Sequence, residues 1–141
     1  MEILKQLAGE VLVPTTVWEE LEAGRRAGVD LPDLTKLSWV KIHPVPKREV
    51  GRWVADLGPG EVGVLTLAAA QAGSRVILDD AKARLIAAQL NLPLTGTLGL
   101  LLDAKKAGML DQVSRGMDEL QAQGFRLAPK TRAAVLRLAG E

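Results

Sequence analysis

The stretch Arg75-Val76-Ile77-Leu78-Asp79-Asp80 decides how this chain is read. Val76 to Leu78 is a short β-branched and apolar run, the clearest strand in the sequence, and it ends abruptly on two acids. A helical pattern over residues 81–90 follows, then a second short strand at Pro93–Thr95. Upstream, Leu57-Gly58-Pro59-Gly60 is a turn, and Glu61 to Ala72 is a small-residue helix expected to be largely buried. Further out, Val11–Val13 is a buried strand stopped by Pro14. Thr15 or Thr16 caps a helix running to about Ala23, where Gly24 and Gly28 weaken it. Residues 29–37 read as a loop, Trp39–His43 as an edge strand and Lys47–Ala55 as a short helix. Gly96-Thr97 opens a helix ending at Gly108, and helices over 110–122 and Lys130–Ala139 complete the chain. Strands alternating with helices predict an α/β fold around a parallel sheet. Glu2–Ala8 reads as the tail of a helix closed by Gly9. A doubly wound sheet calls for a strand–helix unit ahead of Val11, so the expectation is a fold whose first strand is absent.

Composition narrows the function. The 141 residues suit one domain, with 48% hydrophobic and 25% charged residues, an ordinary globular balance. There is no cysteine and one histidine, His43, which excludes a disulfide framework, thiolate-held zinc and a multi-histidine metal site. Any metal must then be held by carboxylates, which selects the Mg²⁺ or Mn²⁺ class. No apolar run approaches the roughly 18 residues of a membrane span, and a cysteine-free chain without a signal-peptide core fits the cytosol. A formal net charge of +1 announces neither a nucleic acid nor a membrane.

Four acids occupy unusual positions. The helix after Pro14 has its apolar stripe at Val17, Leu21 and Gly24. Glu19 then points to the opposite side and Glu22 well outward, while Glu20 borders the buried face. Glu20 is either a boundary carboxylate reaching Arg25 or Arg26, or part of a site. Glu61 aligns with Leu65, Ala68 and Ala72 on the buried stripe of its helix, where a carboxylate is costly unless paired, hydrogen-bonded or metal-bound. Its plainer reading is a first-turn acid favoured by the helix dipole. Asp79 and Asp80 sit at the carboxyl end of a strand, where sites assemble in parallel sheets, although Asp80 also suits a helix N-cap. Glu20, Glu61 and Asp80, with Asp79, are therefore candidates for one acidic cluster. Such a cluster would supply the oxygen ligands that a divalent ion needs for phosphodiester hydrolysis.

Thr95-Gly96-Thr97-Leu98-Gly99 feeds a helix N-terminus whose free N–H groups suit a phosphate, or simply cap the helix. Lys82 and Arg84 are further candidates for orienting a phosphate. Trp18, Trp39 and Trp53 read as packing or interface residues, and the basic stretch Arg126, Lys130, Arg132 and Arg137 as a solvated helix face.

The run Val13-Pro14-Thr15-Thr16-Val17-Trp18-Glu19-Glu20-Leu21, then Gly60-Glu61, then Ile77-Leu78-Asp79-Asp80 with Ala83-Arg84, resembles the PIN domain. Thr95-Gly96-Thr97-Leu98-Gly99-Leu100-Leu101, Ala104-Lys105-Lys106-Ala107-Gly108 and Gly124-Phe125-Arg126 resemble one PIN subgroup, so the similarity runs over nearly the whole chain. The resemblance implies a three-layer α/β/α sandwich with a central parallel sheet, spanning residues 1–141 as a single domain. It also implies a Mg²⁺- or Mn²⁺-dependent ribonuclease of VapC toxin type, with RNA as substrate, an antitoxin protein as partner and a homodimeric state. Glu20, Glu61 and Asp80 fall where the family's acids stand, with glutamate at 61 where aspartate is common. The family's first acid, on its opening strand, has no counterpart here. Two expectations follow: the start is an internal methionine of a longer product, or the chain is a PIN remnant that binds RNA or a protein without cutting. A generic phosphate or nucleotide binder working through Gly96-Thr97 is a third reading, and it leaves the position of Glu61 unexplained.

Overall fold

The computed structural model describes residues 1–47 and 56–141. Of the helix expected over Lys47–Ala55 all but Lys47 lies outside the described residues, as does Trp53. In chain order the elements are α1 (Glu2–Ala8), β1 (Val11–Pro14), α2 (Thr15–Arg26), β2 (Val40–His43), α3 (Pro59–Ala70), β3 (Val76–Ile77), α4 (Ala81–Gln89), β4 (Leu94–Thr95), α5 (Thr97–Lys106), α6 (Val113–Ala122) and α7 (Pro129–Ala139). The chain is thus a mixed α/β protein with short parallel strands, in keeping with the expected α/β/α fold.

The residues divide into two compact units, Ala8–Thr95 and a second formed by Met1–Leu7 with Gly96–Glu141. In the Ala8–Thr95 unit the strands ladder in two parallel pairs. β1 runs beside β2 with Val11 opposite Val40 and Val13 opposite Ile42, and β3 runs beside β4 with Ile77 opposite Thr95. Among the described residues no ladder joins the pairs into one continuous sheet. Helix α3 packs against β1, β3, α2 and α4, and is the centre of this unit.

Its sequence explains that position. Pro59 supplies the fixed backbone angle of a first helical residue, and Gly63, Leu65, Thr66, Leu67 and Ala68 are all buried. The buried Thr66 hydroxyl donates to the Val62 carbonyl at 2.7 Å, so it carries no unmet polar group inside. Gly63 lets α2 come close: a Cβ there would meet the Thr16 hydroxyl, the Pro14 ring at 3.1 Å and Val45 at 3.3 Å. Below α3, Leu65, Ala68, Val76, Leu78, Ala83 and Ala87 form one apolar cluster. The stop expected near Ala23 falls at Arg26, and the chain turns at Gly28 with φ +88°.

The other unit is helical. Helices α5, α6 and α7 contact one another around Leu101, Val113, Met117 and Val135, with Ile3 packed on that cluster. Helix α6 starts at Val113 rather than at 110, because Glu141 binds its first amides. The Glu141 carboxylate accepts the N–H of Val113 at 2.7 Å and of Ser114 at 3.2 Å, and the Ser114 hydroxyl at 2.6 Å. Lys105 of α5 adds an ion pair at 2.9 Å.

Candidate active site

Val17 and Glu20 of α2, Gly60, Glu61 and Val64 of α3, and Ile77 through Asp80 line one open cavity of about 290 Å³. The cavity lies where β1 and β3 have just ended, so the four acids expected to form a cluster border a single space. All its lining residues belong to the Ala8–Thr95 unit.

Each acid reaches the cavity by a different local route. Glu20 was expected to reach Arg25 or Arg26 if it had only a structural role. Instead, its Oε1 accepts the backbone N–H of Gly60 at 3.0 Å, joining α2 to the first turn of α3. Arg25 is taken by Glu22 at 2.7 Å and by Asp33 at 3.7 Å. The helical wheel also misjudged exposure, because Glu20 is exposed and Glu22 half-buried. Glu22 is instead drawn in by Arg25, which reaches on to Asp33 in the loop after the helix.

Glu61 is half-buried rather than sunk in the stripe of α3. It is the third residue of the helix, and its carboxylate folds back to the turn, where a Cβ on Gly58 would lie 2.6 Å from Oε2. The cost of burying it is avoided by keeping the charge at the helix's positive end. Asp80 is the N-cap of α4, its Oδ1 accepting the Ala83 N–H at 2.9 Å. Asp79, exposed on the cavity wall, completes the set.

The phosphate candidates are placed less uniformly. Arg84 donates from Nη1 to the Leu78 carbonyl at 2.9 Å, tying α4 to the end of β3 beside the two aspartates. Lys82 is exposed on the first turn of α4 and does not line the cavity. Gly96 is the N-cap of α5 and Thr97 its first residue. Both belong to the helical unit, and neither lines the cavity.

This donor set, carboxylate oxygens without nitrogen or sulfur, suits Mg²⁺ or Mn²⁺ by chemistry. The arrangement is open, however: among the described residues, no three acidic or histidine side chains are gathered closely enough to grip an ion. Glu20 and Asp80 each also accept a backbone amide, from Gly60 and Ala83. Reading along the sequence missed the two glycines under the carboxylates and the Arg84–Leu78 bond. The Gly58-Pro59-Gly60 turn was visible as a turn, and nothing in its spelling said what would rest on it.

A family model described as a PIN domain matches residues 1–141, and the chain belongs to that family. PIN domains are generally nucleases. No curated protein and no solved structure matches the chain.

Proposed function

We propose that this protein is a Mg²⁺- or Mn²⁺-dependent endoribonuclease of VapC type. The observation that carries the reading is the cavity bordered by Glu20, Glu61, Asp79 and Asp80 at the ends of β1 and β3. Four like charges around one space draw cations to it and repel an unshielded phosphodiester, so a counter-ion is part of the same reading. Glu20, Glu61, Asp79 and Asp80 would hold the divalent ion, which when bound supplies charge neutralisation and an acidified water for in-line attack. The chain's own residues set the rest. Glu20 is held by Gly60, Asp80 by the first turn of α4, and the Asp79-Asp80 corner by Arg84 through Leu78. Lys82, exposed on that first turn, would contact a phosphate outside the cavity. A second copy of the chain and an antitoxin protein are the partners proposed with this activity, in a cytosolic setting.

The test is cleavage of single-stranded RNA by the purified chain with Mn²⁺, with EDTA as control. Asp80→Asn and Glu20→Gln are expected to abolish cleavage and leave the melting temperature near that of the parent. Cleavage by the Asp80→Asn variant at the parent's rate overturns the assignment. A second reading, a PIN remnant that binds RNA or protein without cutting, is favoured by one observation: the acids are not gathered into an ion-holding group among the described residues. It expects RNA retention in a gel shift with no cleavage at any Mn²⁺ concentration.

A further inference from the structure

Resting on the reading of the acids as a cation-holding site, we infer that Gly60, with Gly58 beside it, is a positioning residue of that site. Its bare Cα is the seat on which the Glu20 carboxylate is held. Backbone conformation does not call for glycine at either place. Gly58 sits at φ −68°, ψ 161°, open to any residue, and Gly60 is a helical residue outside the left-handed region. Alanine is the better helix former at such a position. Space is what the two glycines supply. A Cβ on Gly60 would lie 2.7 Å from Glu20 Oε2 and 3.1 Å from both Oε1 and Cδ, and one on Gly58 would lie 2.6 Å from Glu61 Oε2. In both cases the obstacle is the end of a flexible side chain. An added methyl group therefore leaves the helix intact and turns the carboxylate away.

The amide contributes as much as the missing side chain. Pro59 has no N–H, so Gly60 is the first donor of α3, and it points at Glu20, forty positions earlier in sequence. The pair of glycines thus seats two acids from different helices against one turn, and both acids border the same cavity. Glu20 gains an orientation that its own exposed helix face does not provide.

Mn²⁺ affinity, read by loss of the free-ion paramagnetic resonance signal, and thermal melting of the full chain test this. Gly60→Ala is expected to weaken Mn²⁺ binding at least tenfold while melting at or above the parent, and Gly58→Ala to weaken it through Glu61. Glu20→Asp, which withdraws the carboxylate by one methylene, is expected to weaken binding in the parent and to restore it in Gly60→Ala to within about threefold of the parent. Parent-like affinity in both glycine variants, with Glu20→Gln still losing it, overturns the seat and leaves the acidic site standing. Absence of Mn²⁺ binding by the parent, or binding unaffected by Glu20→Gln and Asp80→Asn, overturns both.

Discussion

Asp80 caps α4 through the Ala83 N–H at 2.9 Å and at the same time borders the acidic cavity, so different substitutions separate its two tasks. Asparagine caps a helix about as well as aspartate, whereas alanine forfeits roughly 1 kcal/mol at an N-cap. Asp80→Asn is expected to match the parent in urea denaturation and to lose cleavage. Asp80→Ala should lose cleavage and also about 1 kcal/mol of stability. Arg84 acts on the same corner from the other side. Replacing it by methionine removes the donor to the Leu78 carbonyl and is expected to cost about 1.5–3 kcal/mol in the same denaturation, at the strength of a hydrogen bond from a charged group. That Glu20, Glu61, Asp79 and Asp80 would border one space was legible from the sequence. Their bonding was not. Periodicity reports direction around a helix axis, but the contact of Glu20 with Gly60 depends on where a second helix begins.

Helix α6 shows the same limit for whole elements. Its N-terminal amides are satisfied by Glu141, 28 residues beyond Val113, and no local capping signal announces that. The Ser114 hydroxyl foremost, and then Lys105, hold the Glu141 carboxyl down at about 2, against an ordinary 4.5. A depressed carboxylate stabilises the fold above its unfolded value, and that contribution fades as pH falls through the folded value. The parent should therefore out-melt Glu141→Gln at pH 7, and the difference should shrink below pH 4.5 and vanish near pH 2. A difference that stays constant from pH 7 to pH 2 would contradict this account. Packing in the other unit gives a larger effect. Leu65 is wholly buried in α3, and Leu65→Ala is expected to cost about 2–5 kcal/mol, the range for a truncated core leucine. The elements themselves were mostly legible. A continuous apolar run marked β1 and an alternating one β2, and Gly9, Gly108 and Gly140, all with positive φ, mark helix ends that the sequence had suggested. The ladder pattern was not legible, because β3 and β4 contribute only two residues each.

For the whole molecule, 18 basic and 17 acidic residues leave a net charge of +1, so no long-range field draws RNA in. The proposed RNA binding would then rest on a few local cations. For two phosphate contacts on a single strand, the slope of log affinity against log salt should be about −1.4, and Lys82→Gln should reduce its magnitude by about 0.7. A slope several times steeper would place the RNA on the basic C-terminal surface instead. That surface is partly committed, since Arg132 of α7 already pairs with Asp118 of α6 at 2.7 Å.

The two-pair strand arrangement also bears on how the chain finds its fold. Each ladder joins strands adjacent in the chain, Val11 to Val40 across 29 positions and Val76 to Leu94 across 18. Closing the longer connection costs only about 0.4 kcal/mol more in chain entropy, so neither pair has to wait for the other. Both close around α3, which touches β1 and β3 alike. The helix that both pairs share is therefore the expected folding nucleus, and substitutions at Leu65 should slow refolding more than equally destabilising ones at Val40 or Leu94.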